Sequence, residues 1–182
     1  MEIFHKYTTL AYLILFIPIH NIDSYKRNNA KKTFIKKPTR VEICNSLNPV
    51  FGISGQNRTF PYDLIINPQN PYIGDKVTLT IKGTNSKDKL GGFLVQVRPD
   101  FNIPFGKFSP ADNPKDAKII NCVSQLTTIT HGKFNHRDLV SLTWTPPPTY
   151  TGPAVFFVTI IKARKVIWVA IKSEPFWYLK SK

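Results

Sequence analysis

The chain has 182 residues, with 25 Lys+Arg against 11 Asp+Glu, 15 Pro, nine Gly and two Cys. That length suits one ordinary domain with some appended chain and argues against a multidomain enzyme. A hydrophobic content of 42% with 13% aromatics supports a packed core, so the positive charge does not mean wholesale disorder. Prolines recur above the roughly 5% background and argue against long helices, leaving an all-β chain as the leading expectation.

The N-terminus reads as an address. His5 and Lys6 precede the apolar run Leu10–Ile19, which is well short of the roughly 20 apolar residues a spanning helix needs. Residues 1–24 are therefore expected to be a cleaved secretory signal, the alternative being an uncleaved signal anchor. Without them the product keeps 24 basic and nine acidic side chains, a formal charge of +15. Residues 25–42 follow as a basic, solvated arm. Its charge comes from Lys26, Arg27, Lys31, Lys32, Lys36, Lys37 and Arg40 against Glu42 alone, with no apolar periodicity to order it. Such an arm is either a solubilising linker or an electrostatic contact with an anionic surface. In the second case Lys31, Lys32, Lys36 and Lys37 are the candidate binding residues.

Two further features fit export. Cys44 and Cys122 form an even pair in an otherwise cysteine-free chain, and Asn57-Arg58-Thr59 is an N-glycosylation sequon. The two cysteines either join, closing a loop of roughly 80 residues that is worth up to about 4.5 kcal/mol by chain entropy, or stay as separate buried thiols.

Period-two segments then recur between Pro, Gly and Asn clusters, as strands do. Val77–Lys82, Phe93–Arg98 and Val140–Trp144 each turn apolar residues to one face and polar residues to the other. Weaker strands are expected at Leu64–Ile66 and Ile119–Ser124. After the Pro146–Pro153 connection, Val155–Ile161 is more continuously apolar and reads as a central strand, paired with Val166–Ile171 across a tight basic turn at Ala163-Arg164. Neither of these runs is long enough to span a membrane. About seven strands suit an immunoglobulin-like antiparallel β-sandwich, with a barrel as the alternative. Trp144 and Trp168 are expected in its core. The segment Phe176-Trp177-Tyr178, within an aromatic and basic tail at 175–182, either packs back on the sandwich or offers a membrane-interface patch.

The segment Gly92–Arg98, Gly106-Lys107-Phe108, Cys122, Thr130-His131, Leu142–Pro147, Gly152, Val155–Thr159 and Trp168 follow one another as in a reeler (reelin-type) domain. Cys44 with Pro49 and Gly52, Pro61-Tyr62 and Gly74–Leu79 extend the resemblance upstream, so that it covers about residues 43 to 173. One departure is visible, since Phe51 stands where the family often has His. The resemblance implies a secreted β-sandwich at residues 43–174, stapled between Cys44 and Cys122 and similar to single-domain insect-type haemolymph defence proteins of innate immunity. Other family members join the domain to haem-binding and membrane cytochrome modules or to adhesion repeats, and none of those partners fits within this chain.

Catalytic patterns are weak. His131 and His136 could give two metal ligands, yet zinc sites need three or four and no carboxylate cluster lies nearby. His131 reads more simply as a structural residue hydrogen-bonding at a strand end. Ser141, His136 and Asp138 make a triad only on paper, without a nucleophile elbow. The acids are scattered singly, and no phosphate-cradling Gly loop is present. The expectation is therefore a non-enzymatic, cofactor-free, extracellular monomer binding anionic bacterial envelope components, with peripheral membrane contact and no specific nucleic-acid role. The alternative is a matrix or adhesion module that binds sulfated glycans or another protein.

Overall fold

The computed structural model describes residues 37–49, 53–99, 103–109, 115–122 and 126–180. The expected signal at 1–24, most of the arm with Lys31, Lys32 and Lys36, and Phe51 lie outside the described residues.

The architecture is an antiparallel two-sheet sandwich. One sheet has the order β1-β2-β7-β4, formed by Tyr62–Asn67, Val77–Gly83, Leu139–Thr145 and Lys107–Phe108. The other runs β10-β8-β3-β6-β5, formed by Phe176–Tyr178, Gly152–Ala163, Gly92–Arg98, Thr128–His131 and Ala117–Ile120. β9 (Val166–Lys172) also pairs with β8, so the far edge of that long strand is shared between β10 near its start and β9 near its end. Alternation along the strands sends Val77, Leu79, Ile81, Leu142 and Trp144 from the first sheet against Phe93, Val95, Val97, Phe156, Val158 and Ile160 from the second. Trp144 is fully buried, donates its indole N–H to the Phe105 carbonyl at 3.0 Å, and lies edge-on to Phe156 and Phe176. Trp168 is buried too and donates to the Arg58 carbonyl at 3.2 Å.

Three differences from the expected plan have physical reasons. First, β4, β6 and β10 bring the described strands to ten. β4 has only two residues, too few to show a period, and the strand expected at Ile119–Ser124 lies instead at Ala117–Ile120. Second, the aromatic segment set beyond the expected domain boundary at residue 174 takes the first of its two expected alternatives and packs back on the sandwich as a further strand. Phe176 and Tyr178 enter the core while Trp177 faces out, because β10 completes the edge of β8. Third, the arm does not run unstructured to residue 42. α1 spans Arg40–Ser46 and starts with a capping box, in which the Glu42 N–H donates to Thr39 Oγ1 and the Thr39 N–H donates to the Glu42 carboxylate.

α1 explains why β3 is buried on both faces. The sequence pattern leaves Leu94, Gln96 and Arg98 on the side away from the main core, and the α1 segment roofs that side, with Leu47 packing on Leu94 and Phe157. The Cys44–Cys122 disulfide pins this roof across a sequence separation of 78, for which chain entropy allows about 4.5 kcal/mol. Beneath it the Arg98 guanidinium supplies the cation that the last turn of α1 lacks. Its Nη2 donates to the Cys44 and Asn45 carbonyls, both at 3.2 Å, while its Cζ lies 4.9 Å from the Phe157 ring centroid.

Candidate functional site

Of the residues the sequence singles out, Cys44 and Cys122 are joined, Asn57 is exposed on an extended segment beside β9, and Lys37 is exposed just before α1. The paper triad is not assembled. Ser141 Oγ hydrogen-bonds Thr80 Oγ1 at 2.9 Å, Asp138 pairs with Lys89, and the His136 ring lies against Phe134. The His131 Nδ1 accepts from the Phe93 N–H at 3.2 Å, the structural role expected of it. Among the described residues no group of three His, Cys, Asp or Glu side chains is placed to hold a metal ion.

Topology gathers a different set. At one end of the sandwich the β2–β3 connection, the β6–β7 connection, the residues leading into β5 and the β8–β9 turn come together. The Gly91 N–H donates to the Ile161 carbonyl at 3.0 Å, Leu90 and Arg137 exchange backbone hydrogen bonds, and the Lys133 N–H donates to the Lys115 carbonyl at 2.8 Å. Residues 84–91, 115–116, 132–138 and 162–165 carry eight Lys or Arg against three Asp, a formal +5. Two of the acids are engaged internally, Asp88 with Lys162 at 2.7 Å and Asp138 with Lys89. The hydrogen bond from Lys162 holds the Asp88 carboxyl below the usual carboxylate range. Lys87, Lys133, Arg164 and Lys165 are exposed and have no carboxylate partner among the described residues.

The scaffold under these charges is rigid. Arg137 spends its guanidinium on the carbonyls of Asp116, Lys133 and Asn135, at 3.0, 3.3 and 3.4 Å, stitching the β6–β7 connection to itself and to the start of β5. Phe134 lies against Gly91, where a Cβ would come 2.2 Å from its ring and 2.9 Å from the Ile161 carbonyl, so a larger residue there would displace the ring. Together the connections form a fixed cationic surface with a half-exposed aromatic ring. Such a surface attracts extended anions, each cation near a negative membrane contributing about 1 kcal/mol before salt screening. No contiguous run of sequence reveals it, because its members lie in four separate segments. A charge census of the connections, once the strands were assigned, is the signal that could have found it.

A reeler domain model matches residues 42–180 of this chain. The chain belongs to the reeler family. The match extends through β10, past the boundary expected at residue 174. Among curated relatives, this reeler protein is 33% identical over 138 residues to a Bombyx mori protein named "Putative defense protein", covering 74% of this chain and 80% of that one. It is 32% identical over 136 residues to "Putative defense protein Hdd11" of Hyphantria cunea, covering 73% and 82%. The human F-spondin reeler domain has the same fold, with a TM-score of 0.56 at 14% identity over 70% of this chain and 94% of that structure. Among the described residues no helix of the reeler protein is long and apolar enough to cross a membrane.

Proposed function

We propose that this reeler protein is a secreted, non-enzymatic defence protein that binds anionic components of microbial surfaces through the cationic end of its sandwich. The observation that carries the reading is the rigid +5 end with its exposed, carboxylate-free Lys133, Arg164 and Lys165. The relationship to proteins named for defence supports the biological setting, and the apolar run at Leu10–Ile19 supports export. Lys31, Lys32, Lys36 and Lys37 add charge to the same protein and are proposed as a second contribution to binding.

The test is binding of the secreted protein to lipopolysaccharide and to anionic vesicles across a salt series. Wild type is expected to bind more weakly as salt rises. Reversing three charges, as Lys133→Glu, Arg164→Glu and Lys165→Glu together, is expected to lower affinity about tenfold or more at physiological salt, allowing for screening. Removal of residues 25–37, which leaves the Thr39 cap of α1 in place, measures the arm separately. Salt-insensitive binding, or an unaffected triple variant, refutes the proposal. Heparin affinity combined with indifference to microbial ligands would favour the matrix or adhesion reading.

A further inference from the structure

We infer that the cationic end takes its anionic ligand in the form of a lipid bilayer, with Phe134 seated among the headgroups. The inference rests on the reading of this end as an anionic-surface site and goes further by naming the surface. Phe134 is 50% exposed in the sequence Gly132-Lys133-Phe134-Asn135-His136-Arg137, where every neighbour is polar or glycine. It is not a core residue left incompletely covered by a loose loop. Its ring rests on Gly91 and lies edge-on to His131 at 6.4 Å and His136 at 5.5 Å, and the Asn135 N–H donates to the Gly91 carbonyl at 3.0 Å. The apolar surface is thus presented in a fixed position, so little ordering entropy is lost when it is covered. Leu139, 49% exposed and paired in register with Lys82, adds a second apolar side chain at the root of the same connection.

A soluble polyanion is satisfied by the cations alone. A bilayer also offers the ring a place, because aromatic side chains favour the headgroup zone while Lys and Arg reach the phosphates. Trp177, the other exposed Phe or Trp among the described residues, lies on β10 and pairs with Pro153 at the opposite end of β8, about 30 Å from Lys162 at the rise of a β-strand. It therefore does not share a contact face with Phe134.

The experiment compares wild type, Phe134→Ala and Phe134→Trp for cosedimentation with vesicles of equal parts phosphatidylglycerol and phosphatidylcholine, and for elution from a heparin column. Covering half a Phe side chain predicts about a fivefold loss of vesicle affinity in Phe134→Ala, with heparin elution unchanged. Phe134→Trp is expected to retain vesicle binding and to gain a blue-shifted emission component on adding vesicles. Equal vesicle affinity for wild type and Phe134→Ala overturns the inference and leaves the electrostatic reading standing, as does an equal weakening on vesicles and heparin. Failure of wild type to bind either probe overturns both.

Discussion

Arg98 offers the sharpest test of the packing argument, because its guanidinium is buried with carbonyls, an amide oxygen and an aromatic face as its partners. In Arg98→Met the apolar stem is kept and the hydrogen bonds are lost. The Cys44 carbonyl still receives Gln96 Nε2 at 3.0 Å, and the Asn45 carbonyl sits on an exposed residue where water can replace the donor. Gln96 Oε1 has no such recourse. Gln96 is fully buried, and the two bonds from Arg98, at 2.9 and 2.6 Å, both disappear. An orphaned buried acceptor costs about 1–3 kcal/mol, and the lost stacking over Phe157 adds about 1 kcal/mol. Relief from burying a cation works the other way. That burial is felt, since desolvation lowers the Arg98 pKa. The balance is a destabilisation of about 2 kcal/mol, which at a urea slope of about 1–3 kcal/mol/M lowers the unfolding midpoint by about 1 M. An Arg98→Met protein as stable as wild type, with an unchanged slope, would show that desolvation outweighs every bond described and would refute the reasoning.

Burial, with Asp88 as the lesser cause, pushes the Tyr62 phenol up to about 12 from an ordinary value of 10.0. Below pH 10 both states hold the proton and stability is unaffected. Between pH 10 and 12 the unfolded chain releases it first, so stability falls as pH rises, by about 2–3 kcal/mol from this group. Urea midpoints should decline across that window, less steeply in Tyr62→Phe, and an identical slope in both proteins would contradict the assignment. Gly106 has φ +66°, and a Cβ there would lie 2.4 Å from the Trp144 ring, so Gly106→Ala is expected to cost about 2–4 kcal/mol in thermal or urea unfolding; a loss under about 1 kcal/mol would show that Trp144 has room to yield. Asn57 is an exposed sequon, and protein secreted from insect cells should shift in mobility on treatment with an N-glycanase. Asn57→Gln should abolish that shift without changing the melting temperature, and an unshifted wild type would exclude occupancy.

The strands legible in the sequence are those whose alternation faces the core directly. Val77–Lys82, Phe93–Arg98 and Val140–Trp144 carry a period of two because one side of each meets the opposite sheet. What escaped is set by other layers. Gln96 and Arg98 look like solvent-facing positions, and only a roof contributed some fifty residues upstream makes them interior. That roof had its own local signal, Thr39 followed three residues later by Glu42, which the surrounding lysines obscured. For Phe176 and Tyr178 the sequence leaves packing back and an interfacial patch both open, and the place of β10 on the edge of β8 decides for the interior. The cationic end was beyond a linear reading for a different reason. The basic arm is conspicuous because its charges are consecutive, whereas Lys87, Lys133 and Arg164 become neighbours only through the long-range pairing of β3 with β8 and of Leu90 with Arg137.

The position of the disulfide along the chain has a consequence for survival among hydrolytic enzymes. The covalent ring closed by Cys44 and Cys122 contains β1 to β5, and with them the exposed connection Thr84–Lys87. A single backbone cut anywhere inside that ring releases no fragment. The two pieces stay covalently tethered, and the central strand β3 is still flanked by β8 and β6. A molecule nicked once inside the ring can therefore keep its cationic end in place, whereas a second cut within the ring, loss of the sulfur link, or a cut after Cys122, in the exposed connections 132–138 or 163–165, would leave a piece of the sandwich without a covalent tether.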